Sequence, residues 1–427
     1  MSLFGAMNTA ISGLNAQSAA FTNIGDNIAN SQTIGFKEVD TSFIDYLTSS
    51  TAKQNESGSV ATLPEYENNV QGTIQQSTDP LALAITGTGF FQVSEEDGTD
   101  ASGNTLFSPQ PYYTRAGDFS LNSAGFLVNS EGEYLNGWAV TAGTTTLDTS
   151  QLVPIQVTQS QFQPVATSVM SLVANVPTTP SVSSVLSSDV QVYDTTGTAH
   201  ELEMSWSQLG NDNWQLTLAS PDEVGGPTIG TVDVTFNSNG TLASLTGATG
   251  SVAVGGTATN ATLDLTPDFG NGAQAIALSL GTYNTSGGVT QYAGTDYSVG
   301  GVSQNGSPPG SFTGITTSAL GDVSANYNNG QSVLIAKVPL ITFQDANQLA
   351  RQNGQSFTAT SGSGAAIAQS AGSNGSGSLI TGSVESSNVD IATQLSALIV
   401  AQQAYSANAK MITTAQQMLE TTINLKQ

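Results

Sequence analysis

The chain has 427 residues, only 9% of them charged, and its 32 acidic against 7 basic side chains leave a net charge of −25. Soluble domains usually run to about 25% charged residues, so solubility here rests on hydroxyls, amides and the net charge itself. That balance excludes a nucleic-acid partner and disfavours an anionic membrane surface, since phosphate backbones need Lys and Arg, and the absence of cysteine excludes disulfides, thiol catalysis and cysteine-held metals. At about 150 residues per domain the length predicts roughly three domains. The surplus of acid reads as a solvated, self-repelling surface rather than a cation site.

Residues 1–30 space Phe4, Met7, Ile11, Leu14, Phe21 and Ile28 at helical intervals, with Ser18 and Gly25 filling two stripe positions. This is a heptad-like pattern. Gly5, Gly13 and Gly25 each cost about 0.8–1 kcal/mol relative to Ala inside a helix, so the helix is expected to be marginal alone. The opening MSLFGAMNTAISGLNAQ lacks the basic and continuous apolar regions of a secretory signal, and no apolar run reaches the ~20 residues that span a bilayer. The expectation is a soluble chain without membrane insertion or a cleavable Sec address.

Residues 48–69 read as a loose stretch. Short strands and turns follow: Phe119, Leu121, Phe126 and Val128 alternate between Asn, Ser and Gly clusters. After a second loose stretch at 142–150, a further meander offers Val190, Val192, Leu202, Met204, Trp206, Trp214, Leu216 and Leu218 as an inward face. Residues 283–311 and 358–378 again read as loose, Gly- and Ser-rich linkers. The placing of these linkers suits either an out-and-back path with an inserted domain or a linear string of three domains.

From 389 to 427 one helical seam carries Ile391, Leu395, Leu398, Tyr405, Ile412, Leu419 and Ile423, with Ser387 and Asp390 resembling a capping box and Lys426 near the C-terminal end. The charges are what these helices lack. Asp26 is the only charged side chain in residues 1–30, and residues 391–427 hold only Lys410, Glu420 and Lys426. A helix lying on a core normally has a charged back. Backs of Ala, Ser, Thr, Asn and Gln can instead be buried without stranding a charge, so the cover expected is other copies of the same chain, with ordering coupled to assembly.

Catalysis has little to work with. His200, the one histidine, sits in a strand-like run and reads as packed or surface-exposed rather than as a general base. Glu95, Glu96 and Asp97 read as a solvated hairpin tip, the Gly-rich runs lack the lysine of a phosphate loop, and the turn at 210–213 matches no calcium motif. The reading is a non-enzyme with no cofactor, no metal and no catalytic residue.

NIGDNIANSQTIGFK at 23–37 resembles the N-terminal signature of the flagellar rod and hook axial family, and SSNVDIATQLSALIVAQQAYSANAKMITTAQQMLETTINLKQ at 386–427 is similar to its C-terminal signature. QGTIQQSTDPLALAITGTGFFQV, YTRAGDFSLNSAGFLVNSEGEYLNGW and VYDTTGTAHELEMSW resemble the β-domain blocks of its hook branch. The resemblance implies a multidomain α plus all-β protein. Residues 1–30 with 388–427 would form a terminal coiled-coil domain, and 31–71 with 358–387 a connecting segment. Two nested barrel- or sandwich-like β-domains would follow, the inner at 72–141 with 286–357 and the outer, inserted one at 142–285. It also implies a hook subunit that polymerises into a curved tube and acts as a universal joint between rod and filament. The implied partners are its own copies, the distal rod protein, the hook cap protein, the hook–filament junction proteins and the flagellar type III export apparatus, and the implied place is the extracellular hook. The seam residues named above become the assembly interface, and Asn27, Asn30, Gly35 and Phe36 fall in the signature turn.

Three rival readings are weighed against features of the chain. A distal rod subunit would share both ends but lacks a large outer domain, whereas 142–285 carries a coherent strand pattern. A secreted adhesin or surface-layer protein would carry a Sec signal and would not need uncharged heptads at both ends. A glycan-degrading enzyme would need a paired-carboxylate cleft.

Overall fold

The computed structural model describes residues 3–51, 54–141, 144, 146–180 and 186–424. These form two compact units, the first built from 1–159, 314–325 and 333–427 and the second from 160–313 and 326–332. The units divide the chain at other places than 142 and 285. Strand Val153–Pro154 pairs with Tyr134–Ala139 of the first unit, and Ser298–Gln304 pairs with Val169–Asn175 of the second.

The first unit opens with helix α1, Leu3–Ala29, and the described chain closes with helix α2, Ile391–Asn424. With few charges to solvate them, the helices turn hydroxyls back onto their own carbonyls: Thr9 to Gly5, Ser12 to Thr9, Thr22 to Ser18 and Thr421 to Gln417. Asp390 itself caps α2, its Oδ1 accepting from Thr393 N–H at 2.9 Å. Ser387, expected as the cap, instead accepts from Val389 N–H one turn too early. Lys426 lies outside the described residues.

Within the stretch 48–69, expected to be loose, residues 48–51 and 54–66 belong to a long antiparallel pair of β1, Val39–Thr51, and β2, Gln54–Tyr66, a hairpin. Its register pairs Phe43 with Thr62 and Ile44 with Ala61. The hairpin lies along α1, whose Asn23 Nδ2 donates to Thr41 Oγ1 at 2.8 Å and whose Ser12 Oγ accepts from Val60 N–H at 3.1 Å. Ser, Thr and Glu dominate these strands because their partner is a polar helix, so they lack the alternating apolar face of a core strand.

Beyond β3, Ile74–Gln76, the rest of the first unit is β-structure. Its main sheet runs antiparallel through Ser332–Lys337, Tyr134–Ala139, Phe91–Ser94, Tyr112–Thr114, Ser356–Thr358 and Ala350–Arg351. Leu83, Ile85, Phe91, Phe119, Leu127, Leu135, Val338 and Leu340 fill the core beneath it. The Gly/Ser-rich 358–378 is structured: Ile367–Ser370 pairs with Pro339–Thr342, and Ser378–Thr381 with Leu83–Thr86. Its Asn374 and Gly375, at φ 50° and 83°, make the tight turn between them.

The second unit packs a five-stranded meander, Ser187–Tyr193 through Leu242–Thr246, against a six-stranded sheet around Val169–Asn175. Val192, Leu202, Met204, Trp206, Trp214, Leu216 and Leu218 are buried in the shared core, and Val190 packs at its margin, as the alternation predicts. The stretch 283–311 is again not loose, since Val289–Thr290 and Ser298–Gln304 pair with Val169–Asn175. Serines and glycines on the outer face hid the alternation. This unit contains no Lys or Arg, so His200 is its only side chain able to carry positive charge.

Candidate functional site

The two helices run antiparallel. Gly13 of α1 faces Asn408 of α2, Phe21 meets Tyr405 edge-on at 6.1 Å between ring centroids, and Asn27 Nδ2 donates to Gln394 Oε1 at 3.3 Å. What the helices bury, against each other and against the hairpin, is mostly small or polar: Ala10, Ala16, Ala20 and Asn27 on α1, with Ile24 the one large exception, and Gln394, Ala401 and Ala415 on α2.

The larger apolar residues mostly point away. Phe4, Ile11, Ile391, Leu395, Tyr405 and Ile423 are exposed, while Met7, Leu14, Phe21, Ile28, Leu398, Ile412 and Leu419 are half-buried. Ile399, Val400, Met411 and Met418, which the seam did not include, are exposed as well. Among the described residues of α2 only Lys410 and Glu420 carry charge. An uncharged helix face studded with Phe, Ile, Leu, Val and Met is what a protein–protein contact requires.

The signature turn links α1 to the β1–β2 hairpin and packs against the β-structure. Asn27 is buried and clamps Val39 twice, donating to its carbonyl at 3.0 Å and accepting its N–H at 3.1 Å. Asn30 Nδ2 returns to the Asp26 carbonyl at 2.9 Å, closing α1. Gly35 has φ 71°, and a Cβ there would run into the Ala116 backbone. Phe36 is buried beneath the Arg351 guanidinium, 4.3 Å from the ring centroid.

Next to that turn lies a cluster that sequence reasoning missed. Lys37, Arg115 and Glu385 have side chains only 1%, 2% and 0% exposed. Lys37 Nζ reaches Glu385 Oε1 at 2.6 Å and donates also to the Val70 carbonyl. Arg115 Nη1 reaches Glu385 Oε2 at 3.0 Å, its Nη2 donates to the Gly87 carbonyl, and its guanidinium lies over Phe90. Glu385 further accepts from Gly72 N–H at 2.8 Å, and its carbonyl accepts from Gly35 N–H at 2.8 Å. Burial pushes Lys37 down to about 8, with the Glu385 carboxylate pulling the other way, and burial likewise lowers Arg115. A signal for this cluster was present: a chain with 7 basic residues places Lys37 and Arg115 inside its two most distinctive motif blocks.

His200 is buried, its Nδ1 2.9 Å from Asp222 Oδ2 and its ring stacked on Phe269 at 4.3 Å. This ties strand Ala199–Gln208 to two loops of the second unit, with Asp194 Oδ2 3.6 Å from Nε2 on the ring's other side. In the first unit an open cleft of about 360 Å³, lined by Phe90, Arg115, Phe343 and Asp345, has its arginine already engaged by Glu385.

Comparison with known proteins gives a consistent picture. Family models match in chain order: flagella basal body rod protein over 7–37, flagellar hook protein FlgE/F/G D1 domain over 84–169, flagellar basal body protein FlaE D2 domain over 166–307, and flagellar basal body rod FlgEFG protein C-terminal over 380–425. The chain is 30% identical over 430 residues to flagellar hook protein FlgE of Brucella suis, covering 100% of both. It is 32% identical to that of Salmonella typhimurium, covering 98% of this chain and 99% of the relative. The crystal structure of Helicobacter pylori flagellar hook protein FlgE2 superposes with a TM-score of 0.51 over 71% of this chain and 98% of that one. At 13% identity it speaks for the fold alone.

Proposed function

The chain belongs to the flagellar hook protein FlgE family and is a structural, non-enzymatic subunit of the hook, and on that footing we propose how it does this work. The subunit polymerises through its helix pair. Phe4, Ile11, Ile391, Leu395, Tyr405 and Ile423 reach into neighbouring copies, joined by the half-buried Met7, Leu14, Phe21, Ile28, Leu398, Ile412 and Leu419 where adjacent helices wedge between the pair. The observation that carries this is the outward face of α2, where Val400 stands 65% exposed on a helix almost without charge. Each large aliphatic or aromatic side chain that is fully covered contributes about 1.5–3 kcal/mol. Asn27, Asn30, Gly35 and Phe36 set the angle at which the helices leave the β-structure.

The tube so formed transmits torque as a universal joint. Twisting must be resisted by the closely packed helices, while the Ser-, Thr-, Asn- and Gly-rich second unit, with no fixed cations, suits surfaces that slide. The partners assigned from family membership are the distal rod protein below, the hook cap and hook–filament junction proteins above, and the flagellar type III export apparatus that delivers the chain.

Electron microscopy of the purified protein under assembly conditions tests the reading. Curved tubes are expected, and Leu395→Asp or Val400→Asp should abolish them without lowering the unfolding temperature, because both sites are exposed in the single subunit. Straight rigid tubes or persistent monomers from the unaltered chain would overturn it. Hooks that bend and supercoil normally after loss of most of residues 160–313 would overturn the sliding role.

A further inference from the structure

The helical part, α1 with its hairpin and α2, joins the β-structure of the first unit through two chain crossings, residues 67–77 and 382–390. These pair with each other, β3 against Ser383–Glu385, with Ile74 opposite Glu385. A two-stranded ribbon resists stretching but twists readily. Left alone it would let the helix pair turn about its axis relative to the β-structure.

Two side chains bridge the pieces that such a turn would separate: Arg351, which lies over Phe36 and donates to the Lys37 carbonyl, and the fully buried Glu385. Glu385 holds Lys37 of the signature turn, Gly72 of the outgoing crossing and Arg115 of the β-structure, while its own backbone holds Gly35. The surroundings brace it: Asn388 Oδ1 accepts from Glu38 N–H at 2.8 Å, and Asn347 Oδ1 from Asn69 N–H at 3.1 Å. Burying three charges is an expensive way to stabilise a fold, and apolar residues of similar volume often do as well or better. Apolar packing, however, has no direction. Short charge-assisted hydrogen bonds have one.

We infer that Glu385, with Lys37 and Arg115, is a positioning clasp that stops the helix pair from rotating about the two crossings, so that twist applied to the helices reaches the β-structure. This rests on the torque-bearing reading above. Stability is then the lesser contribution of the cluster, and orientation the greater.

The test separates the two. Full-length protein carrying Lys37→Met, Arg115→Met and Glu385→Met together is compared with the unaltered chain for unfolding temperature and tube formation. Torsional compliance is then read from the rotational fluctuations of a bead fixed to a single tube. The clasp predicts a triple variant that unfolds no earlier and still assembles, but whose tubes twist severalfold more easily. Unchanged compliance overturns it. Should the triple variant fail to fold, Lys37→Met alone decides, because it leaves the Arg115–Glu385 pair balanced. Raised compliance, restored by Lys37→Arg, supports the clasp, and unchanged compliance refutes it. If the unaltered chain forms no tubes, the hook reading falls first and takes the clasp with it.

Discussion

A single carboxylate decides more at the junction than either of the cations it holds. Glu385→Gln would leave Lys37 and Arg115 facing each other in a dry site and is expected to cost about 3–5 kcal/mol. Lys37→Met leaves a balanced pair and should cost about 1 kcal/mol or less; denaturant titration of the first unit compares the two. A different buried acid makes the same unit sensitive to pH. Glu133, bonded by Asn129 Nδ2 at 2.9 Å, is pushed up to about 7 by burial, against the pull of that hydrogen bond. Its folded form keeps a proton that the unfolded chain gives up near 4.5, so stability is full below that value and is lost as pH rises through about 7. The free energy of unfolding should fall by about 3 kcal/mol across this window, and Glu133→Gln should flatten the slope. That Lys37 and Arg115 are rare cations inside motif blocks could be read from the sequence, but their meeting at Glu385 could not, because a charge run shows in a sequence while a cluster assembled from positions 37, 115 and 385 does not.

Both helices could be read from spacing alone, since their apolar residues recur at helical intervals without interruption by charge. Which face pairs within the subunit could not. Apart from Ile24 the inner face is Ala, Gly, Asn and Gln, invisible to a search for apolar periodicity, and the Ile and Leu of the seam are exposed or half-buried, none fully buried. The β1–β2 hairpin and the strands within 283–311 and 358–378 were hidden for a related reason. Their strength is in backbone ladders and tight turns, so Ser, Thr and Gly there imitate a linker. Glycine roles diverge in the same way. Nothing lies within 4 Å of a Cβ built on Gly25, so Gly25→Ala should gain about 1 kcal/mol of helix stability, seen as added helical dichroism in dilute, unassembled protein. Gly35→Ala must place a side chain at φ 71° against the Ala116 backbone and is expected to cost roughly 2–4 kcal/mol, with loss of tube assembly.

For the whole molecule, a net charge of −25 means that copies repel as they approach, while the helix faces proposed above to join them carry almost no charge. Salt should therefore help polymerisation. Raising ionic strength from about 0.01 to 0.15 M shortens the Debye length from about 30 to 8 Å, and the critical concentration for tubes, measured by sedimentation, should drop. Tubes that dissolve instead would mean that ion pairs hold them. The fold class follows from the same balance, because α-helices at the ends and β-units between them are distinguished by period even where charge is scarce. The empty column of cations in the second unit reaches further than electrostatics. No Lys or Arg stands between Arg115 and Lys337, a stretch of just over half the chain. To trypsin, or to any enzyme that cuts after a basic residue, that stretch is unreadable whether folded or not, and amine-directed reagents find nothing in it to modify. A hook built from this subunit would owe its resistance to such enzymes there not to rigidity but to vocabulary.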